Sequence, residues 1–259
     1  GVRLGSVAAG IKYQGRTDLL CAVFAPRTQA AGVFTTSKTR SAPVDWCRKN
    51  LSRGKVRAIV VNAGNANAFT GKAGDKAVEE TTRAIAQALG CPRNEVFMAS
   101  TGVIGQQLEW EKIAAVVPAL IKSVREDAWS AAAGAIMTTD TFPKLATRHA
   151  KIGEKTVTIN GFLKGSGMIA PDMATMLGYI FTDCAIAPAY LQELLSAANQ
   201  RTFSCITVDS DTSTSDTVLA FATGAAGNQQ ITCADCPGAD AFAAALEDVC
   251  RQLAHLVVR

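Results

Sequence analysis

The chain has 259 residues, of which 48% are hydrophobic and 19% charged, and its formal net charge is +4. This composition is typical of a globular protein with a sizeable core and excludes a disordered chain. Apolar β-branched runs predict strands, and apolar residues at a period of 3.6 predict helices. In chain order the predicted elements are strands 18–24 and 57–62, helix 75–89, strand 95–99, helices 110–122 and 127–137, strands 156–159 and 175–181, helix 188–198, strands 206–209 and 217–221, and helix 239–257.

The order of these elements predicts the fold class. Strands and helices are mixed along the chain without strict alternation, and short hairpin signals are few. This pattern favours a layered, mixed α/β fold over a doubly wound parallel sheet. No internal repeat and no low-complexity linker divides the chain.

Composition also excludes several kinds of partner. No apolar run approaches the roughly 18 residues that a membrane span requires, and residues 1–20 lack the pattern of a secretory signal. We therefore expect a cytoplasmic protein, or one of an organelle matrix if a transit peptide has been removed, with no membrane partner. The basic residues are scattered and aromatic residues make up only 6%, so we expect no nucleic-acid partner.

Eight cysteines occur, and most lie in apolar stretches, where a free thiol behaves as a small hydrophobic group. Cys233 and Cys236 have the spacing of a redox or zinc pair. A zinc site needs two further ligands, and the sequence has no second pair of this spacing. We predict no metal site, and we expect these cysteines to be buried or loop thiols.

The most informative segment, residues 164–177, reads KGSGMIAPDMATML. A glycine-rich approach leads to the small Ala174, then to Thr175 and an apolar run. A threonine hydroxyl needs a base, and neither of the two histidines lies in a Ser/His/Asp motif. Cleavage of the Ala174–Thr175 bond would supply one, because a terminal α-amine titrates at roughly 7.7–8.0. From this segment alone two interpretations remain: a self-cleavage site, or a loop before a buried strand.

Two further segments have the composition of active-site loops. Residues 99–105, ASTGVIG, place a hydroxyl beside a glycine N–H, a pair that could stabilise an oxyanion. Residues 137–144 are rich in hydroxyls and could bind a polar substrate. The alternatives are a turn that ends a strand and a turn that ends a helix. The small-residue stretch 62–69 matches no phosphate-binding motif.

Taken together, seven segments in order resemble the ornithine acetyltransferase family, the bifunctional glutamate N-acetyltransferases of arginine biosynthesis. The resemblance spans nearly the whole chain. The segments are VAAGIK at 7–12, AGVFTT at 31–36, VVNAGNAN at 60–67, ASTGVIG at 99–105, IMTTDTFPK at 136–144, KGSGMIAPDMATML at 164–177 and DSDTSTSDT at 209–217.

The resemblance implies a self-processing enzyme. It implies an N-terminal-nucleophile-like sandwich of two β-sheets flanked by helices, with a smaller C-terminal α/β domain that is only partly present. Cleavage between Ala174 and Thr175 would give an N-terminal subunit, 1–174, and the start of a C-terminal subunit, 175–259. Thr175 would be the nucleophile and terminal base, Thr101 and Gly102 the oxyanion hole, and Thr138, Lys164 and Thr175 the substrate-binding residues.

The same resemblance implies the reaction and the assembly. An acetyl group would pass from N-acetylornithine to glutamate through an acetyl-threonine, without a cofactor, although acetyl-CoA could be a further donor. The cleaved subunits would associate as α2β2. Family members continue past the equivalent of Arg259, and a glutamate, an asparagine and a serine or threonine of their substrate site fall outside these 259 residues.

Two other hypotheses compete with acetyl transfer. Folds of this type with a terminal nucleophile also serve amidohydrolases and aminopeptidases, in which water accepts the acyl group. The chain could also be an uncleaved fragment that binds ligands without turnover. Release of free acetate would favour the first, and a single intact mass would favour the second.

Overall fold

The computed structural model describes residues 1–167, 176–208 and 213–259. The nine strands of the described part are β1 Val2–Val7, β2 Leu19–Phe24, β3 Gln29–Phe34, β4 Ala58–Asn65, β5 Val96–Val103, β6 Lys144–Ile152, β7 Lys155–Lys164, β8 Leu177–Thr182 and β9 Thr217–Ala222. Its six α-helices are α1 Ala42–Leu51, α2 Gly71–Leu89, α3 Trp110–Lys122, α4 Trp129–Ala135, α5 Pro188–Arg201 and α6 Ala239–Val257.

The strands form two sheets. Sheet A has the order β1-β2-β4-β5, in which only β4 and β5 are parallel. Sheet B has the order β3-β9-β8-β7-β6, in which only β8 and β9 are parallel. Both sheets are therefore mixed, as the irregular order of strands and helices predicts.

An aromatic layer joins the two sheets. Phe24 of sheet A stacks on Phe221 of sheet B with ring centroids 4.5 Å apart, and Phe162 lies 5.3 Å from Phe181. All four rings are buried in one apolar cluster with residues of both inner faces. Burial of this many large side chains is the main stabilisation of the sandwich.

Helices cover the outer faces. α2 and α3 pack on sheet A, where Val78 and Ile85 join Val60 and Met98 in one cluster. α5 and α6 pack on sheet B through a second cluster. Because both faces of each sheet are covered, strands such as β2 and β4 are buried along their whole length, and their apolar runs 19–24 and 58–61 are why the sequence predicts them well.

Most predicted elements are confirmed, and the errors have physical causes. The five predicted helices and the strands near 18–24, 57–62, 95–99, 156–159 and 217–221 are present, as is the described part of 175–181. The strand predicted over 206–209 is wrong for its described residues: the chain there follows a short 3-10 helix, Phe203–Cys205, and forms no strand. Ile206 packs partly on the core while Val208 is exposed, so local β-propensity did not decide.

Residues on both sides of position 175 build the same sandwich. β8, β9, α5 and α6 supply two strands of sheet B and its helical cover. The smaller C-terminal domain implied by the resemblance stays a prediction. The division into subunits 1–174 and 175–259 also stays a prediction.

Candidate active site

Strand ends from both sheets meet at one end of the sandwich. Lys144 begins β6 and Lys164 ends β7, and antiparallel pairing places the two lysines at the same end of that hairpin. Lys164 lies opposite Leu177 at the start of β8, and Leu177 lies opposite Thr217 at the start of β9. Thr101 comes from β5 of sheet A. Four strands of sheet B and one of sheet A therefore converge here.

A hydrogen bond joins the sheets at this end. Lys164 Nζ lies 3.3 Å from Thr101 Oγ1, and the two residues are only 3% and 5% exposed. Burial lowers the pKa of Lys164 below its ordinary value, and the charges of Asp140 and Asp216 offset part of that shift. As an ammonium, Lys164 can only donate, so the Thr101 hydroxyl accepts and its own hydrogen is free to point elsewhere.

Asp140 holds the segment around this lysine. Its Oδ1 accepts hydrogen bonds from Lys144 Nζ and from the backbone N–H of Gly165, each at 2.8 Å, and its Oδ2 accepts the N–H of Thr138 at 3.2 Å. Burial alone would raise the pKa of Asp140, but these hydrogen bonds and the charge of Lys164 together lower it. The two lysines outnumber Asp140, and Asp216 adds a second negative charge only when it is ionised, so these groups carry excess positive charge while Asp216 is protonated, which suits an anionic substrate.

Gly102 follows Thr101 in a conformation that only glycine adopts readily. Its φ is +133°, and a Cβ there would lie 2.3 Å from the backbone carbon of Gly64 on the neighbouring strand. Gly102 is exposed, so a bound molecule can contact it. Side chains of β4 and β5 stabilise this end of the strand pair, because Ser100 Oγ donates to Asn62 Oδ1 at 2.6 Å and the Asn62 amide donates to the Asn65 carbonyl at 2.8 Å.

We predict that Gly102→Ala destabilises the protein by roughly 3 kcal/mol, because backbone strain adds to a clash with another strand. Thermal unfolding should show a clear fall in Tm. Gly134→Ala is the control: Gly134 is in α4, and a Cβ there meets nothing within 4 Å, so its Tm should stay the same or rise slightly. An unchanged Tm for Gly102→Ala would contradict the strain.

Asp216 is a buried carboxyl that the sequence did not single out. Its Oδ1 accepts the backbone N–H of Met176 at 2.7 Å, which is the N–H of the peptide bond between Thr175 and Met176. Its Oδ2 is buried without a hydrogen-bond partner in the described part of the chain. Burial raises the pKa of Asp216 to about 7, although the Met176 N–H, the Ser213 hydroxyl and Lys164 act in the opposite direction.

This pKa gives a stability prediction. Because the folded state holds the proton of Asp216 up to about pH 7 while an unfolded aspartate releases it near pH 4, this group lowers stability as pH rises between those values. Asp216→Asn cannot ionise, so its free energy of unfolding should improve relative to the parent protein from pH 4 to 7 and then level off. Denaturant titrations across this range measure the difference, with Asp75→Asn, at an exposed aspartate, as the control. A pH-independent difference for Asp216→Asn would contradict the raised pKa.

The structure brings four of the predicted site residues together. Thr101 contacts Lys164, and Thr138 is linked to the segment after Lys164 through Asp140. Gly102 is adjacent to Thr101. Ala174 and Thr175 lie outside the described residues. Sequence reasoning missed Asp140, Lys144 and Asp216 as site residues, although all three lie inside the segments 136–144 and 209–217 that carry the resemblance.

Two further properties concern the described residues alone. Within them, no three histidine, cysteine, aspartate or glutamate side chains gather as metal ligands do. None of the helices in the same ranges combines the length and apolar character of a membrane span.

Comparison with known sequences identifies the family. The sequence profile of the ArgJ family matches residues 3–259 of the 259. The chain belongs to the ArgJ family. It is 57% identical over 262 residues to the arginine biosynthesis bifunctional protein ArgJ of Rhizobium meliloti and 56% identical to that of Agrobacterium fabrum. All of the chain aligns, and it spans 63% of the length of each of these relatives.

Solved structures of the family share the fold. The chain is 36% identical to the ornithine acetyltransferase of Mycobacterium tuberculosis complexed with ornithine, with a TM-score of 0.60, covering 68% of this chain and 93% of that one. ArgJ of Bacillus halodurans is 34% identical, with a TM-score of 0.60, and the match covers 67% of this chain and 91% of that one. Outside these family structures, an aminopeptidase of Ochrobactrum anthropi, described as a variant of the Ntn hydrolase fold, is 13% identical with a TM-score of 0.59. The match covers 99% of this chain and 83% of that one. The predicted N-terminal-nucleophile-like sandwich is confirmed.

Proposed function

We propose that the protein transfers an acetyl group from N-acetylornithine to glutamate in arginine biosynthesis, after cutting itself between Ala174 and Thr175. The observation that carries this proposal is the buried contact between Lys164 and Thr101, beside a glycine N–H and next to the strand that follows Thr175. It supplies a cation, a hydroxyl donor and a backbone donor at one place. An acyl-transfer site needs these groups around a nucleophile.

Self-cleavage would create the base. The Thr175 hydroxyl attacks the carbonyl carbon of Ala174, and the amide C–N bond breaks as the Thr175 nitrogen takes the hydroxyl proton and becomes a terminal amine. Water then hydrolyses the resulting ester, which releases the Ala174 carboxylate and restores the Thr175 hydroxyl. Deprotonated, this amine can take the proton of its own hydroxyl, so no histidine and no cofactor are required. The Asp216 carboxyl binds the peptide N–H of Met176 and so orients the backbone on the C-terminal side of Thr175.

Acetyl transfer would then follow in two steps. The Thr175 oxygen attacks the acetyl carbonyl of N-acetylornithine, and the C–N bond breaks as ornithine leaves with a proton from the terminal amine. The amine of glutamate attacks the acetyl carbonyl of the acetyl-threonine, the ester C–O bond breaks, and N-acetylglutamate leaves, while a proton of the attacking amine passes through the terminal amine to the Thr175 oxygen. In both steps the Gly102 N–H and the Thr101 hydroxyl would donate to the oxyanion. The Lys164 bond to Thr101 supports this role because it leaves the hydroxyl hydrogen free.

Lys164 would have a second, electrostatic role. Its positive charge disfavours protonation of a nearby amine, which keeps the terminal base neutral near pH 7. The excess positive charge of Lys144 and Lys164 over Asp140 favours substrates that carry a carboxylate, as both amino acids do. Thr138 would contribute a further hydrogen bond, since its backbone is held by Asp140.

We also propose that the two cleaved parts stay associated, as an α2β2 assembly. The support is that β8 and β9 lie inside sheet B, flanked by β7 and β3 from the earlier part of the chain. Separating them would expose the aromatic layer, which is unfavourable. Residues 1–174 make up about two thirds of the chain, the same share that the two family structures cover.

A transfer assay tests the function. The complete protein, incubated with N-acetylornithine and glutamate, should produce ornithine and N-acetylglutamate in equal amounts. Release of free acetate without N-acetylglutamate would instead indicate an amidohydrolase, and no turnover with a single intact mass would indicate an uncleaved binding fragment. Replacing N-acetylornithine by acetyl-CoA in the same assay shows whether the acetyl-enzyme forms from that donor as well.

A further inference from the structure

Two thiols lie side by side just before α6. Cys233 and Cys236 are free, and their sulfur atoms are 3.3 Å apart. Cys233 is exposed and Cys236 is partly exposed, whereas Cys21, Cys47 and Cys250 are buried. The pair is therefore accessible to small molecules in the described part of the chain. Its sulfur atoms need only a small displacement to bond.

Donors around Cys236 stabilise its thiolate. The backbone N–H of Thr232 points to Cys236 Sγ at 3.4 Å, and the Thr232 hydroxyl lies 3.5 Å away. These contacts, followed by those with Cys233, lower the pKa of Cys236 to about 7. α6 begins at Ala239, so the positive end of a 19-residue helix also lies nearby. A substantial fraction of Cys236 is therefore nucleophilic at neutral pH.

A cavity adjoins this sulfur. Its volume is about 250 Å³, and its lining includes Cys236, Glu154, Lys155, Asn228 and Gln229. The lining thus includes one acidic group, one basic group and three amides, those of Asn228, Gln229 and Gln230, of which Asn228 is already hydrogen-bonded to Ala185 and to the Gln229 carbonyl. These groups suit a small peptide-like molecule that carries both charges and amides.

We propose that Cys233 and Cys236 form a thiol–disulfide exchange site for low-molecular-weight peptide disulfides, with Cys236 as the attacking thiol. The Cys236 thiolate attacks one sulfur of the disulfide RSSR, that S–S bond breaks, and RS⁻ leaves. Cys233 then loses its proton and attacks Cys236 Sγ, which displaces the second RS⁻. The two thiol protons end on the two RS⁻ groups. The balance is one protein dithiol oxidised and one small disulfide reduced to two thiols.

The site is remote from the candidate active site. The cavity includes Gly153 and Lys155, in the turn before β7 and at its first residue, whereas Lys164 is the last residue of β7. Nine residue steps along a strand span about 30 Å. The inference therefore does not rest on acetyl transfer, and either proposal can fail without the other.

Exchange with oxidised glutathione tests the inference. The complete, reduced protein is incubated with excess oxidised glutathione at pH 8, quenched with acid, unfolded, alkylated and analysed by fragmentation mass spectrometry. The parent protein should contain a Cys233–Cys236 disulfide, with no glutathione bound to either of these two cysteines. Cys233→Ser should stop at the mixed disulfide on Cys236, and Cys236→Ser should react at least about tenfold more slowly at the remaining thiol.

Cys205 is the matched control, since it is exposed and its thiol instead contacts the Gln200 carbonyl. Cys205→Ser should behave like the parent protein. In Cys233→Ser, glutathione should attach to Cys236 roughly tenfold more slowly at pH 6 than at pH 8, following the thiolate fraction. The inference is overturned if both thiols stay free in excess oxidised glutathione. It is also overturned if Cys205 is modified as fast as Cys236.

Discussion

Thr175→Ala should leave the complete protein as one uncut polypeptide without acetyl transfer. The variant lacks the hydroxyl that attacks the Ala174 carbonyl, so neither cleavage nor the terminal amine can form. We expect transfer from N-acetylornithine to glutamate to fall by at least about 10³-fold, as when a nucleophile is removed from other acyl-transfer enzymes. Intact mass spectrometry and N-terminal sequencing measure processing, and product formation measures activity.

Two further variants make this test specific. Thr175→Ser keeps a hydroxyl and a terminal amine, so it should still be cut and should retain measurable transfer. Thr156→Ala removes an exposed threonine near the start of β7, far from Lys164, and should behave like the parent protein. Transfer at the parental rate by an uncut Thr175→Ala chain would reject the proposed mechanism.

Local patterns predict the elements whose own residues specify them. β2 and β4 consist of residues buried along their whole length, and α2 ends at Gly90 in a left-handed conformation, φ 62°, that marks a helix end. β3 and β6 were missed because their buried residues include small ones, such as Ala30 and Ala146, with low strand propensity. They are strands because neighbouring strands pair with them.

The residues of the candidate site also divide into those that local sequence predicts and those that it does not. Thr101 and Lys164 could be proposed from short segments and a family resemblance. Asp140, Lys144 and Asp216 are charged residues at the ends of strands and loops, and such residues are usually solvated. Their burial depends on contacts between segments far apart in sequence, for example that of Asp140 with Gly165. A single sequence contains no local signal for such contacts.

Lys164→Met should reduce transfer strongly with a small effect on folding. The variant loses the bond to Thr101 and the cation near the terminal amine, and we expect kcat/KM to fall by roughly 30-fold or more, about 2 kcal/mol. Asp140 keeps its ion pair with Lys144, whose Nζ lies 2.8 Å from Asp140 Oδ1, so Asp140 does not become an unpaired buried charge. Removing one partner of a buried ion pair is costly when it leaves an unpaired charge. Because Asp140 keeps Lys144 and Asp216 can hold its proton up to about pH 7, Tm should change little.

The pH dependence of Lys164→Met separates an electrostatic role from a structural one. A nearby cation lowers the pKa of an amine, so its removal should raise that pKa and move the rising limb of kcat/KM against pH to higher pH. Lys155→Met, at the opposite end of β7 and exposed, should leave both the rate and the limb unchanged. A Lys164→Met enzyme with lower activity but an unshifted limb would show that Lys164 positions Thr101 without tuning the base. An enzyme with parental activity would remove Lys164 from the site altogether.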